Sequence, residues 1–405
     1  MTVYPEINKI VEQQQLKICN GKIITPKKII NGGTVLINNG IITAVSEGNL
    51  DAPGAILIDA VGKYVSPGFI DIHIHGGGGH DFMDNTVEAF LGIAEIHARY
   101  GTTAMSPTTL TSSKEDLLET LCVYELADKQ NINGSQFIGM HLEGPYFAVN
   151  QCGAQDPRYI RDPDPEEYKE IIAGTSVIKR WSAAPELKGA IEFGKYVVSK
   201  GILAAIAHTD AIYEEALEAF ENGYTLATHL YSGMLGVTRR NAYRYAGVVE
   251  AAFLIDGMDV EIIADGIHLP PPLLKLVYKI KGAKRTALIT DAMRAAGMPP
   301  GDSVLGSLKN GLKVIVEDGV AKLPDRSAFA GSVATANLLV RNMIKMADVS
   351  LLEAVQMAAL TPATIMNIAD KKGSIEIGKD ADLLIFDEDI NIEKTIIKGK
   401  VIYER

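Results

Sequence analysis

Apolar and polar positions alternate in two different rhythms along this chain. In its middle, short apolar runs at residues 68–75, 102–107, 137–143, 178–183, 203–208, 225–229, 260–265 and 286–291 read as eight strands. Between them, apolar residues at helical spacing predict helices over 87–100, 114–128, 190–200, 213–222 and 271–281, with two more near 333–346 and 351–359. Strands alternating with helices point to a parallel sheet in an α/β fold. Eight such units in about three hundred residues fit a (β/α)8 TIM-like barrel. A doubly wound sheet is the competing architecture, which strand counting does not exclude.

The two ends follow the other rhythm. Short β-rich runs are punctuated by Asn20-Gly21 and by Asn38-Asn39-Gly40, and Asn-Gly between alternating runs is a strong hairpin signal. The last residues, from Ala381 to Tyr403, repeat this style. Together the ends predict a small β-sandwich domain built from both termini, 1–63 with 371–405, around a barrel over 64–370.

Polar residues recur where the predicted strands stop: His73 and His75, Glu143, His208, His229, Asp265 and Asp291. Side chains two apart on a strand share a face, so His73 and His75 point the same way, and the glycines 76 to 79 that follow leave room beside them. A barrel gathers such residues at the carboxyl ends of its strands, where ionisable groups are costly unless paired or bound to metal. Glu143, His208 and His229 offer one carboxylate and two imidazoles, a donor set suited to Zn²⁺ or Fe²⁺.

Composition narrows the rest. Of 405 residues, 47% are hydrophobic and 22% charged, ordinary for a soluble globular protein. A net charge of −11 argues against nucleic acid as the main partner. The three cysteines, Cys19, Cys122 and Cys152, have no CxxC spacing, so neither a disulfide framework nor a thiolate zinc site is expected. The start of the chain lacks a signal peptide, Asn133-Gly134-Ser135 reads as a turn, and no run is apolar enough to span a membrane. A cytoplasmic protein is expected. No GxGxxG or Walker motif supports nucleotide binding.

Pro67 to Gly76, His141-Leu142-Glu143-Gly144-Pro145, Ala207-His208-Thr209, Thr228-His229-Leu230-Tyr231, Ala264 to His268 and Thr290-Asp291-Ala292-Met293 stand in this order. In these segments the chain resembles the amidohydrolase superfamily and, within it, the N-acetylglucosamine-6-phosphate deacetylase family. The likeness covers nearly the whole chain, including Gly378 to Leu383, and its most specific part is His-Leu-Glu-Gly-Pro.

The resemblance implies a metal-dependent hydrolase that releases acetate from N-acetylglucosamine-6-phosphate to leave glucosamine-6-phosphate. Glu143, His208 and His229 form the main metal site, while His73 and His75 add a second ion with Glu143 as bridge, giving one or two ions per subunit. Asp291 is the catalytic carboxylate; its other reading is a helix N-cap. On the substrate side the likeness marks Ala154 and Gln155, His268, and Phe329, Ala330 and Gly331. Gln155 stands where relatives often carry a histidine, and Tyr231-Ser232-Gly233-Met234 replaces the usual Asn-Ala-Met segment, so Ser232 and Gly233 fall at the phosphate contact. Arg244 matches a phosphate-binding arginine that reaches the neighbouring subunit of a homodimer, with Arg239 and Arg240 as substitutes. His141 is expected to support the ligands by a hydrogen bond, His97 to be surface or packing, His80 to decorate a loop, and Cys152 to lack a base partner. The alternatives are the same deacetylation on N-acetylgalactosamine-6-phosphate, another amidohydrolase reaction such as cyclic-amide opening, and a catalytically silent barrel scaffold.

Overall fold

The computed structural model describes residues 15–405; the expectations for the start of the chain and for the first part of the terminal sheet lie outside the described residues. Parallel strands form at Phe69–Ile74, Thr102–Pro107, Met140–Glu143, Ile178–Ala183, Leu203–Ile206, Tyr224–Ala227, Asp259–Ile262 and Thr286–Leu288, at each predicted place but often ending earlier. The last six make one sheet in chain order, without the reversal that defines a doubly wound sheet. The first two make another with Gln136–Phe137.

The expected strand 137–143 is interrupted. Gly139 takes a left-handed φ of 107°, and a Cβ there would lie 2.1 Å from Lys179 Cγ, so only glycine fits. Ahead of it Gln136–Phe137 pairs with Thr102–Pro107, and beyond it Met140–Glu143 pairs with Ile178–Ala183. One broken strand therefore links the two sheets. At the other edge the Asp291 N–H donates to the His73 carbonyl at 2.9 Å. Beside it the Thr290 hydroxyl donates to Asp71 at 2.5 Å, tying the last strand to the first.

Alternation sets what each face buries. On Ile178–Ala183, Trp181 packs outward with Tyr146 and Phe193 in the layer shared with the helices. A separate cluster that includes Ile70, Ile72, Ala205, Leu226, Ile263 and Ile289 fills the other side. Among the described residues, strands from the two ends of the sequence meet in an eight-stranded sheet running from Lys400–Glu404 through Leu383–Phe386 and Tyr64–Pro67 to Ile41–Ser46. Leu16, Val35, Val65, Leu383, Ile385 and Ile396 form part of its own cluster.

Elements beyond the predicted set also appear. Helices cover Pro165–Gly174, Val248–Leu254 and Leu360–Ile365. A four-stranded antiparallel sheet, Gly301–Leu305, Leu312–Glu317, Val320–Lys322 and Phe329–Ser332, follows the last parallel strand. A short exposed hairpin joins Thr238–Arg240 to Tyr243–Tyr245.

Candidate active site

The parallel strands stop just short of the polar residues, and the backbone turns sharply to present them. His208, His229 and Asp291 have φ of 46°, 29° and 47°, in the left-handed region that non-glycine residues avoid. Such residues cluster at functional sites because surrounding bonds over-determine them. Here Ala148 N–H donates to the His208 carbonyl at 2.8 Å, and Ser232 N–H to that of His229 at 2.9 Å. The N-cap reading of Asp291 does not hold, since no helix begins there and the next element is the strand Gly301–Leu305.

Side chains from five of these strand ends converge. Glu143 Oε1 lies 3.0 Å from His229 Nε2, 3.3 Å from His208 Nε2 and 3.4 Å from His73 Nε2. Its other oxygen lies 3.2 Å from His75 Nε2. Asp291 Oδ1 is 3.1 Å from His75 Nε2 and 3.4 Å from His73 Nε2. The two strand-end imidazoles are 3.3 Å apart through their Nε2 atoms. Among the described residues, two groupings have potential ligand atoms all within 4.8 Å of one another: His73, His75 and Asp291, and His73, Glu143 and His229. His73 belongs to both, while His208 borders the second through Glu143.

The second ring nitrogens say which face of each imidazole is free. His75 Nδ1 donates to the Thr108 carbonyl at 3.3 Å, His208 Nδ1 to that of Gln151 at 2.7 Å, and His229 Nδ1 to that of Ser232 at 3.1 Å. A carbonyl oxygen only accepts, so in the neutral rings these nitrogens hold the proton and Nε2 turns a lone pair to the centre. Lone pairs and carboxylate oxygens packed this closely repel unless a cation sits among them. The spacing suits one, because bonds of about 2.05 Å at a tetrahedral angle separate their ligand atoms by about 3.3 Å. The donor set therefore fits a divalent metal.

Electrostatics agree. Burial opposes ionisation of Glu143, yet His73, His208 and His229 hold it well below the usual carboxylate range. Asp291 is likewise held down against burial, chiefly by His75 and His73. With no metal, the balancing charge falls on the imidazoles: against burial, Glu143, Glu261 and Asp291 carry His73 up to about 9, and Asp291 and Glu143 raise His75. The clustered carboxylates thus call for balancing positive charge, from imidazolium protons or from a bound cation.

A supporting layer lies behind. His141 is buried, and burial with the Arg180 and His73 charges drives it well below the usual histidine range, so it is neutral. It bonds Ser182 Oγ at 2.7 Å and Thr108 Oγ1 at 3.2 Å. Gln155 donates to Glu143 Oε2 at 2.8 Å. Asp265, at the end of Asp259–Ile262, accepts from His268 Nδ1 at 2.6 Å and from the His268 backbone at 2.8 Å, which fixes that ring.

An open cleft of about 890 Å³ reaches this cluster. Ala154, Gln155, Ser232, Gly233, His268, Phe329 and Gly331 line it, together with Tyr231, Leu110 and Leu305, which were not anticipated. Ala330 instead packs into the cluster of the four-stranded sheet with Val314 and Val316. Among the described residues, neither lysine nor arginine lines the cleft. Arg239, Arg240 and Arg244 are exposed on the hairpin, with Tyr243 beside them 74% accessible. His80 is half-buried beside Gly92, and His97 is buried with Nε2 donating to the Gly76 carbonyl at 3.0 Å.

The amidohydrolase family profile matches residues 64–402. The chain is 34% identical to the N-acetylglucosamine-6-phosphate deacetylase of Bacillus subtilis (strain 168) over 96% of its own length and 98% of that relative. It is 29% identical to the N-acetylgalactosamine-6-phosphate deacetylase of Escherichia coli O157:H7, over 94% and 97% of the two chains. Its fold superposes on the crystal structure of N-acetylglucosamine-6-phosphate deacetylase from Pasteurella multocida with a TM-score of 0.90 and 29% identity, covering 96% of this chain and all of that one.

Proposed function

Since this chain belongs to the amidohydrolase family, we propose that it hydrolyses the N-acetyl group of N-acetylglucosamine-6-phosphate to give glucosamine-6-phosphate and acetate. The observation that carries this reading is the convergence of four imidazole Nε2 atoms on Glu143 with Asp291 beside them. We read the parallel strands as a (β/α)8 barrel, supported by bonds at both sheet edges, with the terminal strands as a small β-sandwich domain (1–63 with 371–405) beside it.

Glu143, His208 and His229 would hold one divalent ion, Zn²⁺ or Fe²⁺, and His73 and His75 a second with Glu143 as bridge. Such an ion lowers the pKa of water and polarises an amide carbonyl. Asp291, held ionised, takes the proton of the attacking water and returns it to the departing amine nitrogen. His268, oriented by Asp265, presents its free Nε2 to the sugar. Phe329 and Gly331 border the acetyl side, and the Ser232-Gly233 backbone the phosphate side.

A cleft with no cation among the described residues needs positive charge from elsewhere to hold a phosphate. That supports a homodimer in which the exposed hairpin delivers Arg244 to the neighbouring copy's cleft. No described helix is long and apolar enough to cross a membrane. A phosphorylated sugar does not cross a bilayer unaided, and we place the reaction in the cytoplasm.

The experiment is acetate release from the two epimeric N-acetylhexosamine 6-phosphates by the metal-loaded chain. Faster turnover of the gluco epimer supports the proposal, preference for the galacto epimer replaces it with the sister reaction, and no release from either refutes both.

A further inference from the structure

Beneath the ligand cluster lies a charged pair that the reaction above does not use. Arg180, on Ile178–Ala183, and Glu261, on Asp259–Ile262, are both 0% exposed. They meet through Nη1 to Oε1 and through Nη2 to Oε2 at 2.8 Å. Barrel interiors are filled mainly by branched apolar side chains. Replacing a buried ion pair by apolar residues of similar size is often neutral or stabilising, so stability alone does not account for these charges.

Their neighbours suggest what does. Among the four imidazoles, three have Nδ1 on a backbone carbonyl, but buried His73 Nδ1 has no hydrogen-bond partner among the described residues. The group that faces it is Glu261 Oε2, at 3.6 Å. His73 is also the ligand common to both candidate metal groupings. Arg180 further donates to the Ile72 carbonyl at 3.1 Å and to Thr228 Oγ1 at 2.8 Å, the residues preceding His73 and His229. One guanidinium thus braces both strand ends and the carboxylate.

We propose that Glu261, clamped by Arg180, is the positioning carboxylate for His73. Its charge favours the proton on Nδ1 and so leaves the Nε2 lone pair facing the ion. At 3.6 Å the contact is electrostatic rather than a hydrogen bond, so the effect is on tautomer and donor strength. Arg180 cancels the charge of Glu261, which adds no net anion beneath the site. The inference rests on the reading of the cluster as a metal centre.

The test is zinc affinity of the metal-stripped full chain, measured by competition with a chromophoric chelator. Glu261→Gln leaves a buried guanidinium unpaired and can unfold the chain, so Arg180→Met/Glu261→Leu, which removes both charges, is measured beside it. A folded double variant is expected to bind at least one ion about 10–100-fold more weakly than wild type. Adding His73→Ala should then cost less than His73→Ala costs alone, and Glu261→Asp should recover part of the affinity. A folded double variant that binds every ion as tightly as wild type overturns the inference, as does full additivity with His73→Ala. A wild-type chain that binds no metal overturns the metal centre itself, a distinct result.

Discussion

Gln155 donates to Glu143 Oε2 at 2.8 Å while its own carbonyl accepts the Thr111 N–H at 2.8 Å. Both functional ends of this amide are therefore engaged on the protein, although the side chain lines the cleft. Gln155→Ala frees the central carboxylate to rotate, and supporting residues of this kind are worth about 10–100-fold in metal affinity or activity. The expected outcome is weaker zinc retention and lower kcat with little change in KM. A raised KM with intact metal binding would make Gln155 a substrate contact only.

Asp291 sits against His73 and His75, its side chain 13% exposed in the lining of the cleft. Asp291→Asn keeps size and most contacts but cannot take a proton. Turnover should fall by about 10²–10⁴-fold, the usual worth of general acid–base catalysis, while metal content by elemental analysis holds. Undiminished acetate release would remove Asp291 from the chemistry.

Arg244 is exposed on the hairpin and is not among the residues that line the cleft of its own chain. Arg244→Ala should raise KM for the phosphorylated substrate by about tenfold or more, the scale of a lost charge-assisted hydrogen bond. It should leave turnover of unphosphorylated N-acetylglucosamine unchanged. Equal effects on both compounds would take phosphate binding away from this residue.

His97 is a buried packing histidine whose pKa burial lowers to about 4, with the Gly76 carbonyl opposing. It is neutral in the folded chain and titrates near 6.5 when unfolded. Its stabilisation is thus complete above pH 6.5 and is lost as pH falls toward 4, by about 3 kcal/mol in all. His97→Gln, which still donates to Gly76, should remove this slope. Urea midpoints at pH 7 and pH 4.5 for both chains check it, and equal pH dependence would contradict it.

The converging residues were legible in the sequence because strand ends and the His-x-His spacing fix side-chain direction, and because the flanking segments carried a family likeness. Strand boundaries were less so. At His208, His229 and Asp291 apolar patterning continues through residues whose backbone has already left the sheet for the left-handed region, a local strain that no pattern encodes. Gly139 breaks one expected strand for a reason visible only in space, the approach of Lys179. The four-stranded sheet carrying Phe329 and Gly331 did have a signal, since Leu312 to Glu317 alternates before Asp318-Gly319 and Val320. Arg180 and Glu261 had none, for a lone charged residue in a short strand reads as a solvated edge until its partner is found 81 positions away.

Metal dependence tests the central claim most directly. The chain is stripped with a chelator, assayed for acetate release from N-acetylglucosamine-6-phosphate, then reloaded with Zn²⁺ or Fe²⁺ and assayed again. The account predicts that stripping abolishes release and that either ion restores it, with no restoration in Glu143→Gln. Full activity in the stripped chain, or equal restoration in Glu143→Gln, would contradict a reaction centred on Glu143 and its imidazoles.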